Sequence, residues 1–340
     1  MNQDSQSSHY RIAALYRFVE LPNFARLKEP LIRKMMSLNI KGTILLAREG
    51  VNGTVAAEPG ALDSFIDWLR NDAIWNGQLS QLEVKISTSD TPPFARGKVK
   101  LKREIVTMGV PGIDPTQSVG TYVEPENWNA LISQPDVITI DTRNDYEVKL
   151  GRFKGAANPV TRTFREFPAY AEKDLNPQKH KKVAMYCTGG IRCEKSTAYL
   201  KSLGFEEVFH LKGGILKYLE ETPKDQSLWE GECFVFDERI AVDHDLQPGD
   251  YVQCHACRLP LTPAELEHPH YVVGESCPNC YPLKTDEQRA RYRERDKQIR
   301  LAKQRGEKHT GDEAKQIQAQ RRAAKQKAKA DQRRRQEPAG

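Results

Sequence analysis

Two cysteine patterns in the sequence have the spacing of reactive or metal-binding groups. The first is Tyr186-Cys187-Thr188-Gly189-Gly190-Ile191-Arg192-Cys193-Glu194-Lys195-Ser196. A cysteine that ends an apolar β-rich run, followed by glycines and then a helix, sits where backbone N–H groups converge. Those amides and the helix N-terminus stabilise negative charge, lower the thiol pKa and favour a thiolate at neutral pH. Arg192 adds a permanent positive charge with a fork suited to an anion. Cys187 is therefore read as reactive, with Thr188, Gly189, Gly190, Ile191 and Arg192 as its anion- or substrate-binding loop. The same cradle would hold a persulfide or an anionic intermediate. Cys193 is either a resolving thiol for an oxidised Cys187 or a small apolar residue at the start of the next helix. The second pattern is Cys254-His-Ala-Cys257 and Cys277-Pro-Asn-Cys280, two Cys-x2-Cys pairs 19 residues apart. That spacing suits a structural zinc held by four thiolates, a closed site with no catalytic position. His255 and His270 are read as bystanders.

These groups need elements to position them. Val137–Ile140 and Val183–Tyr186 are short apolar runs that lead into polar or Gly-rich sequence. Glu194–Leu203 reads as a helix closed by Gly204, Val208–Leu211 as a buried strand, and Gly213-Gly214 opens a further helix. Alternating strands and helices over residues 128–222 imply a mostly parallel α/β sheet with its site at the strands' C-terminal ends. Upstream, residues 1–90 read as an α+β unit. Ile12, Ala14, Tyr16 and Phe18 alternate as a strand, and Leu27, Leu31, Met35 and Leu38 recur at helical spacing. Arg48–Gly53 looks like a hairpin with a wide connection, Leu62, Phe65, Ile66 and Leu69 form a second helical stripe, and Leu82, Val84 and Ile86 alternate again. The order is βαββαβ, a ferredoxin-like arrangement. Residues 91–127, with five prolines, read as a linker. Its basic strip, Arg96 to Arg103, is either an exposed strand face or a phosphate contact.

Charge is unevenly distributed. The chain of 340 residues carries a net +6, yet residues 284–340 alone hold 19 Lys and Arg against 9 Asp and Glu, leaving about −4 for the rest. That tail has almost no large apolar residues, so it reads as disordered or as a solvated basic helix, with a nucleic-acid backbone as its natural contact. Residues 223–283 are the segment carrying the four-cysteine site. No apolar run approaches the ~20 residues of a membrane span. The N-terminus shows neither the basic nor the apolar region of a secretory signal. Cysteines in metal and thiol patterns point to a reducing cytoplasm.

Residues 128–222 resemble the rhodanese family through Ile140-Asp-Thr-Arg143, Gly151-Arg-Phe-Lys-Gly155-Ala-Ala-Asn-Pro159, the Cys187 loop and Leu211-Lys-Gly-Gly214. Related phosphatases use a Cys-x5-Arg loop, whereas Cys187 and Arg192 are spaced Cys-x4-Arg, too short to fit a phosphate ester well. In such domains residues like Asp141 and Arg143 are structural, holding the loop through an internal ion pair. With Arg48-Glu-Gly-Val-Asn-Gly-Thr-Val55, Val119–Pro125, Cys193-Glu-Lys195 and Gly231-Glu-Cys-Phe-Val-Phe-Asp237 added, residues 10–255 resemble the rhodanese-domain tRNA uridine(34) hydroxylases. The resemblance implies oxygen-dependent conversion of the wobble uridine to 5-hydroxyuridine, with molecular oxygen as co-substrate, tRNA as partner and Cys187 as the catalytic cysteine. The sequence specifies neither the electron donor nor the oligomeric state. Two mechanisms stay open: addition of Cys187 to C6 of the pyrimidine, or a persulfide or oxidised sulfur on Cys187. A thiosulfate-type sulfurtransferase would account for the Cys187 loop alone, and a non-catalytic RNA-binding adaptor for the tail and the zinc site alone.

Overall fold

The computed structural model describes residues 10–237 and 239–306. The first nine residues and the Lys/Arg runs beyond residue 306 lie outside the described residues. Gln253 marks the start of a second compact unit.

The first unit opens with β1 (Tyr10–Phe18), α1 (Phe24–Ser37), β2 (Lys41–Ala47), β3 (Gly50–Ala57), α2 (Pro59–Asn71) and β4 (Glu83–Ser89), the expected βαββαβ order. The sheet runs β4-β1-β3-β2 with every one of these pairs antiparallel, and gains a fifth strand, β5 (Gly97–Leu101), parallel to β2 at the edge. The basic strip is thus partly a strand. Val99 is buried while Lys100 and Leu101 both face solvent, an exposure that an edge strand allows. The connection between β2 and β3 is tighter than the wide loop expected from sequence, because only Arg48 and Glu49 separate Ala47 from its partner Gly50. Gly50 has φ +139°, and a Cβ there would lie 2.0 Å from the Arg17 carbonyl oxygen, so glycine is required.

The two helices pack on one face of this sheet. Ala13, Leu15, Val51 and Val55 meet Leu31, Met35, Leu62, Phe65 and Leu69 there. The alternating set read from sequence, Ile12, Ala14 and Tyr16, is on the opposite face. Both faces of β1 are covered, one by helices and the other by the next domain, which is why apolar residues occupy odd and even positions alike.

The second part of this unit contains β6 (Thr121–Val123), α3 (Pro125–Ile132), β7 (Val137–Asp141), α4 (Asp145–Val148), β8 (Gly151–Phe153), α5 (Phe167–Asp174), β9 (Lys182–Tyr186), α6 (Ile191–Ser202), β10 (Glu207–Leu211) and α7 (Gly214–Glu221). Four strands form a wholly parallel sheet ordered β6-β10-β9-β7. Helices α5 and α6 cover one face through Phe167, Ala171, Tyr199 and Leu200, while α3 and α7 cover the other through Trp128, Ile215 and Tyr218. Parallel strands buried on both faces need apolar residues throughout, and Val183–Tyr186 supplies them. Cys187 follows the central strand β9.

Helix α6 is buried from Arg192 to Leu200, although it carries Arg192, Glu194 and Lys195. Each charged group has a partner. Tyr16 of β1 donates to Glu194 (2.8 Å), and Lys195 binds Glu49 (2.8 Å) and Glu104 (2.5 Å). The Glu49 carboxylate also accepts from the Ile105 N–H, and Asn52 donates to the Ile105 carbonyl. These contacts join the N-terminal sheet to the helix that carries the cysteine loop.

In the second unit, Cys254, Cys257, Cys277 and Cys280 form the centre of a small cluster with Leu261. A helix over Asp286–Gln304 follows, capped by Thr285 and Gln288, with Arg293 paired to Glu275 (2.7 Å). The first part of the basic tail is therefore helical. Among the described residues no helix is long and apolar enough to cross a membrane.

Removing one partner of a buried ion pair strands the other charge. Lys195→Met should lower the free energy of urea unfolding by about 3 kcal/mol, whereas Lys201→Met, on the exposed end of the same helix, should change it by less than about 0.5 kcal/mol. Equal effects of the two substitutions would show that Lys195 does not hold the domains together.

Candidate active site

Helix α7 shapes the cysteine loop from below. The N–H groups of Ile215 and Leu216 donate to the carbonyls of Cys187 and Thr188, at 3.0 and 3.1 Å. With those carbonyls turned toward α7, the N–H of Gly190 points to the Cys187 sulfur at 3.1 Å. The approach demands glycine at 214, where φ is +66° and a Cβ would lie 2.4 Å from the Cys187 carbonyl oxygen.

Cys187 is fully buried, and burial by itself would raise its pKa. The thiol and N–H of Cys193, the charge of Arg192 and the Gly190 N–H outweigh that penalty and bring Cys187 well below the ordinary thiol range. Cys193 thus favours the anionic form of Cys187, a role that neither sequence alternative offered. Burial raises its own pKa, and the anionic neighbour raises it further. Thr142 Oγ1 lies 3.6 Å from its sulfur.

The fork expected of Arg192 is not free for a substrate anion. Its two terminal nitrogens donate to the two carboxylate oxygens of Glu147, at 2.7 and 2.8 Å, and Glu147 has no exposure. A buried guanidinium without that carboxylate would be costly, so the pair is a condition for placing the charge there at all. Arg192 acts on Cys187 through its field, not as a grip. Glu147 was missed in the sequence, although it stands at the third helical position after Asn144, where the two form a capping box. Asp141 and Arg143 form a fully buried ion pair at 2.6 Å, and Arg143 also donates to the Gly151 carbonyl.

Cys187, Thr188, Gly189, Ile191 and Arg192 border a cavity of about 550 Å³. Its opposite wall is the inner face of the N-terminal sheet, with Ala14, Tyr16, Asn52, Thr54 and Lys85. A third side comes from Phe236, Asp237 and Arg239, where Asp237 and Arg239 pair at 2.6 Å and Phe236 is 57% exposed. Sequence reasoning quoted the segments that supply Tyr16, Asn52 and Phe236 but did not bring them to Cys187. The signal for Tyr16 and Asn52 is a polar group in an otherwise apolar strand.

In the second unit, the four sulfurs of Cys254, Cys257, Cys277 and Cys280 lie within 4.8 Å of one another, and two pairs are 3.7 Å apart. Four sulfurs so placed could together hold one metal ion. His255 and His270 contribute nothing to it, and the His270 ring stacks on Tyr281 instead.

A parallel four-stranded sheet covered on both faces, with a cysteine loop at the end of its central strand, defines a rhodanese-like domain, and residues 124–221 match the family described as Rhodanese-like domain. Residues 10–105 match the UPF0176 acylphosphatase like domain. The two in this order are the architecture of the UPF0176 rhodanese-domain family. This bears out the resemblance carried by the sequence motifs. Solved structures with local likeness include a protein of unknown function from Rhodopseudomonas palustris (24% identity, 31% of this chain and 83% of that one, TM-score 0.27). Others are a rhodanese-like domain from Anabaena (20%, 32% and 78%, TM-score 0.28) and one from Staphylococcus aureus (21%, 29% and 90%, TM-score 0.25).

A lowered thiol pKa has a direct readout. Alkylation of Cys187 by iodoacetamide should persist to pH values where an ordinary cysteine is protonated, and Arg192→Gln should move its pH midpoint upward. Because the folded value is the lower one, ionisation stabilises the fold fully above the unfolded thiol pKa, and that contribution fades as pH falls through the folded value. An alkylation profile for Cys187 that superimposes on that of free cysteine would contradict the assignment.

Proposed function

We propose that the chain hydroxylates uridine-34 of tRNA at C5, using Cys187 as the nucleophile. The observation that carries this reading is the placement of Cys187 in a cavity of about 550 Å³ whose other walls come from the N-terminal sheet and the Phe236 segment. That volume is in the range for one bound small group, and enzymes that act on a base take it out of its stack into such a pocket. Anticodon-loop bases are open to this kind of recognition. A thiosulfate sulfurtransferase would need only the loop, leaving the sheet above it without purpose.

In this reading the Cys187 thiolate adds to C6 of uridine, and its electron pair makes C5 nucleophilic toward oxygen. One atom of molecular oxygen enters at C5 and the other leaves as water, with two electrons from an external reductant and two protons; loss of the C5 proton then expels the Cys187 thiolate and restores the C5–C6 double bond. Arg192 keeps the sulfur ionised, and the loop N–H groups hold its charge before attack. Lys100 and Lys102 on the edge of the N-terminal sheet and the basic helix over Asp286–Gln304 suit phosphate contacts, which are independent of sequence. Such a reaction belongs in the cytoplasm, where tRNA is found.

The four-cysteine site is proposed to hold structural zinc. Thiolates at about 2.3 Å from a tetrahedral zinc are about 3.8 Å from one another, close to the separations observed. Clamping the two Cys-x2-Cys turns would stabilise a unit with few apolar side chains.

Two experiments test these assignments. Purified protein supplied with tRNA, oxygen and reductant should yield 5-hydroxyuridine on nucleoside analysis, and Cys187→Ser should yield none while melting at the same temperature. Unchanged uridine-34 with the wild-type protein, or full activity of Cys187→Ser, would overturn the proposal. Metal analysis of reduced protein should find about one zinc per chain, lost in Cys277→Ser together with local protection of residues 253–283 from hydrogen exchange. Metal-free protein with undiminished protection would exclude a structural zinc.

A further inference from the structure

Three cations border the cysteine cavity, and two of them are already held by carboxylates. Arg192 is bound to Glu147 and Arg239 to Asp237. The third is Lys85, which comes from β4 on the inner face of the N-terminal sheet. Among the described residues its Nζ hydrogen bonds to no carboxylate. It donates to the carbonyl of Gly213, whose neighbour Gly214 lies against the Cys187 and Thr188 carbonyls. Lys85 therefore stands at the rim of the cysteine loop, brought there by a different domain.

The groups facing it are mixed in sign. Lys217, Glu220 and Glu221 act from α7 and Cys187 from the loop. Burial, with Lys217 adding to it, pushes the Lys85 ammonium down to about 8. At neutral pH it is still charged. A cation kept in a largely apolar cavity, with a neutral carbonyl as its partner, is poised to exchange that partner for a better acceptor. A negatively charged oxygen that forms during a reaction is such an acceptor, and it strengthens the hydrogen bond most in the transition state.

We propose that Lys85 is a catalytic residue that binds the 4-carbonyl oxygen of the pyrimidine and stabilises the enolate formed when Cys187 adds to C6. This rests on the reading of the substrate as a tRNA uridine. In the step, a bond forms between the sulfur and C6, and the C5–C6 π pair moves into an enolate spanning C5, C4 and O4. The charge of the thiolate becomes the charge of the enolate, no group leaves, and Lys85 donates its hydrogen bond to O4. Thiolate and ammonium thus act at opposite ends of one conjugated system, one supplied by the rhodanese-like domain and one by the N-terminal sheet. That arrangement gives the fusion of the two domains a chemical purpose.

The test is single-turnover hydroxylation of tRNA by the wild-type protein, Lys85→Met and Lys85→Arg, each across a pH series and each with its tRNA affinity and melting temperature measured. Lys85→Met should slow the chemical step about 100-fold with tRNA affinity little changed, the cost of losing one preorganised donor to an oxyanion. Lys85→Arg should recover part of that rate, and the alkaline limb set by Lys85 should move to higher pH, because arginine does not titrate there. Wild-type rates in Lys85→Met would overturn the proposal. So would a Lys85→Arg profile whose alkaline limb has not moved, which would make Lys85 a structural tie between domains; this arm decides the matter if Lys85→Met does not fold. A wild-type protein that leaves tRNA uridine unmodified would refute the hydroxylase reading itself and the proposal with it, a result distinct from an active enzyme indifferent to Lys85.

Discussion

An ionised sulfur without solvent contact is the condition around which the site is built. Water would stabilise the anion at no structural cost, and Cys187 has none of it. The protein must then supply the stabilisation from fixed groups, and each of these brings its own requirement. The Gly190 N–H points at the sulfur because α7 holds the loop carbonyls the other way. Arg192 brings charge into the interior only because Glu147 is buried beside it. Burial and the neighbouring anion raise the Cys193 pKa, so it adds no second charge beside Cys187. The glycine at 214 and the capping box at Asn144 and Glu147 are consequences of the same demand.

The N-terminal sheet extends this logic to a second domain. Its face toward the cavity is polar where it meets chemistry and apolar elsewhere, and its charged contacts fall on α6, the helix that starts at the cysteine loop. Lys195 is almost fully buried by Glu49 from the β2–β3 turn and Glu104 beyond β5. A shift of the sheet would strand that ammonium, so the roof of the cavity and the position of Cys187 are fixed together. A shared hydrogen-bonded ion pair is a stronger constraint on register than apolar packing, which tolerates sliding.

Much of this was legible in the sequence. The glycine and cysteine pattern located the loop between β9 and α6, and alternation of short apolar runs with helices gave the parallel sheet that ends in it. The paired cysteines announced the four-sulfur cluster, because thiolate ligation restricts spacing tightly. What could not be read were the contacts between elements distant in the chain. Arg192 has the appearance of an anion-binding residue until Glu147, 45 positions earlier, is found in its fork. Ile12, Ala14 and Tyr16 alternate as a core strand would, but hydrophobic periodicity does not say which of two covered faces is which. The basic run at 96–103 left an exposed strand face and a phosphate contact both open, since lysine is both a phosphate ligand and a common guard of exposed sheet edges, and part of it is an edge strand.

The central claim is that Cys187 attacks C6 of a uridine at the anticodon wobble position within the cavity beneath the N-terminal sheet. It is tested most directly with an anticodon stem-loop carrying 5-fluorouridine at position 34, because fluorine at C5 cannot leave as a proton does and the C6 adduct persists. Mass spectrometry of the denatured, digested mixture should find the nucleotide covalently attached to the peptide containing Cys187, and nothing attached in Cys187→Ser. A wild-type protein that forms no adduct, forms it on another cysteine, or carries only a persulfide on Cys187 would contradict the account.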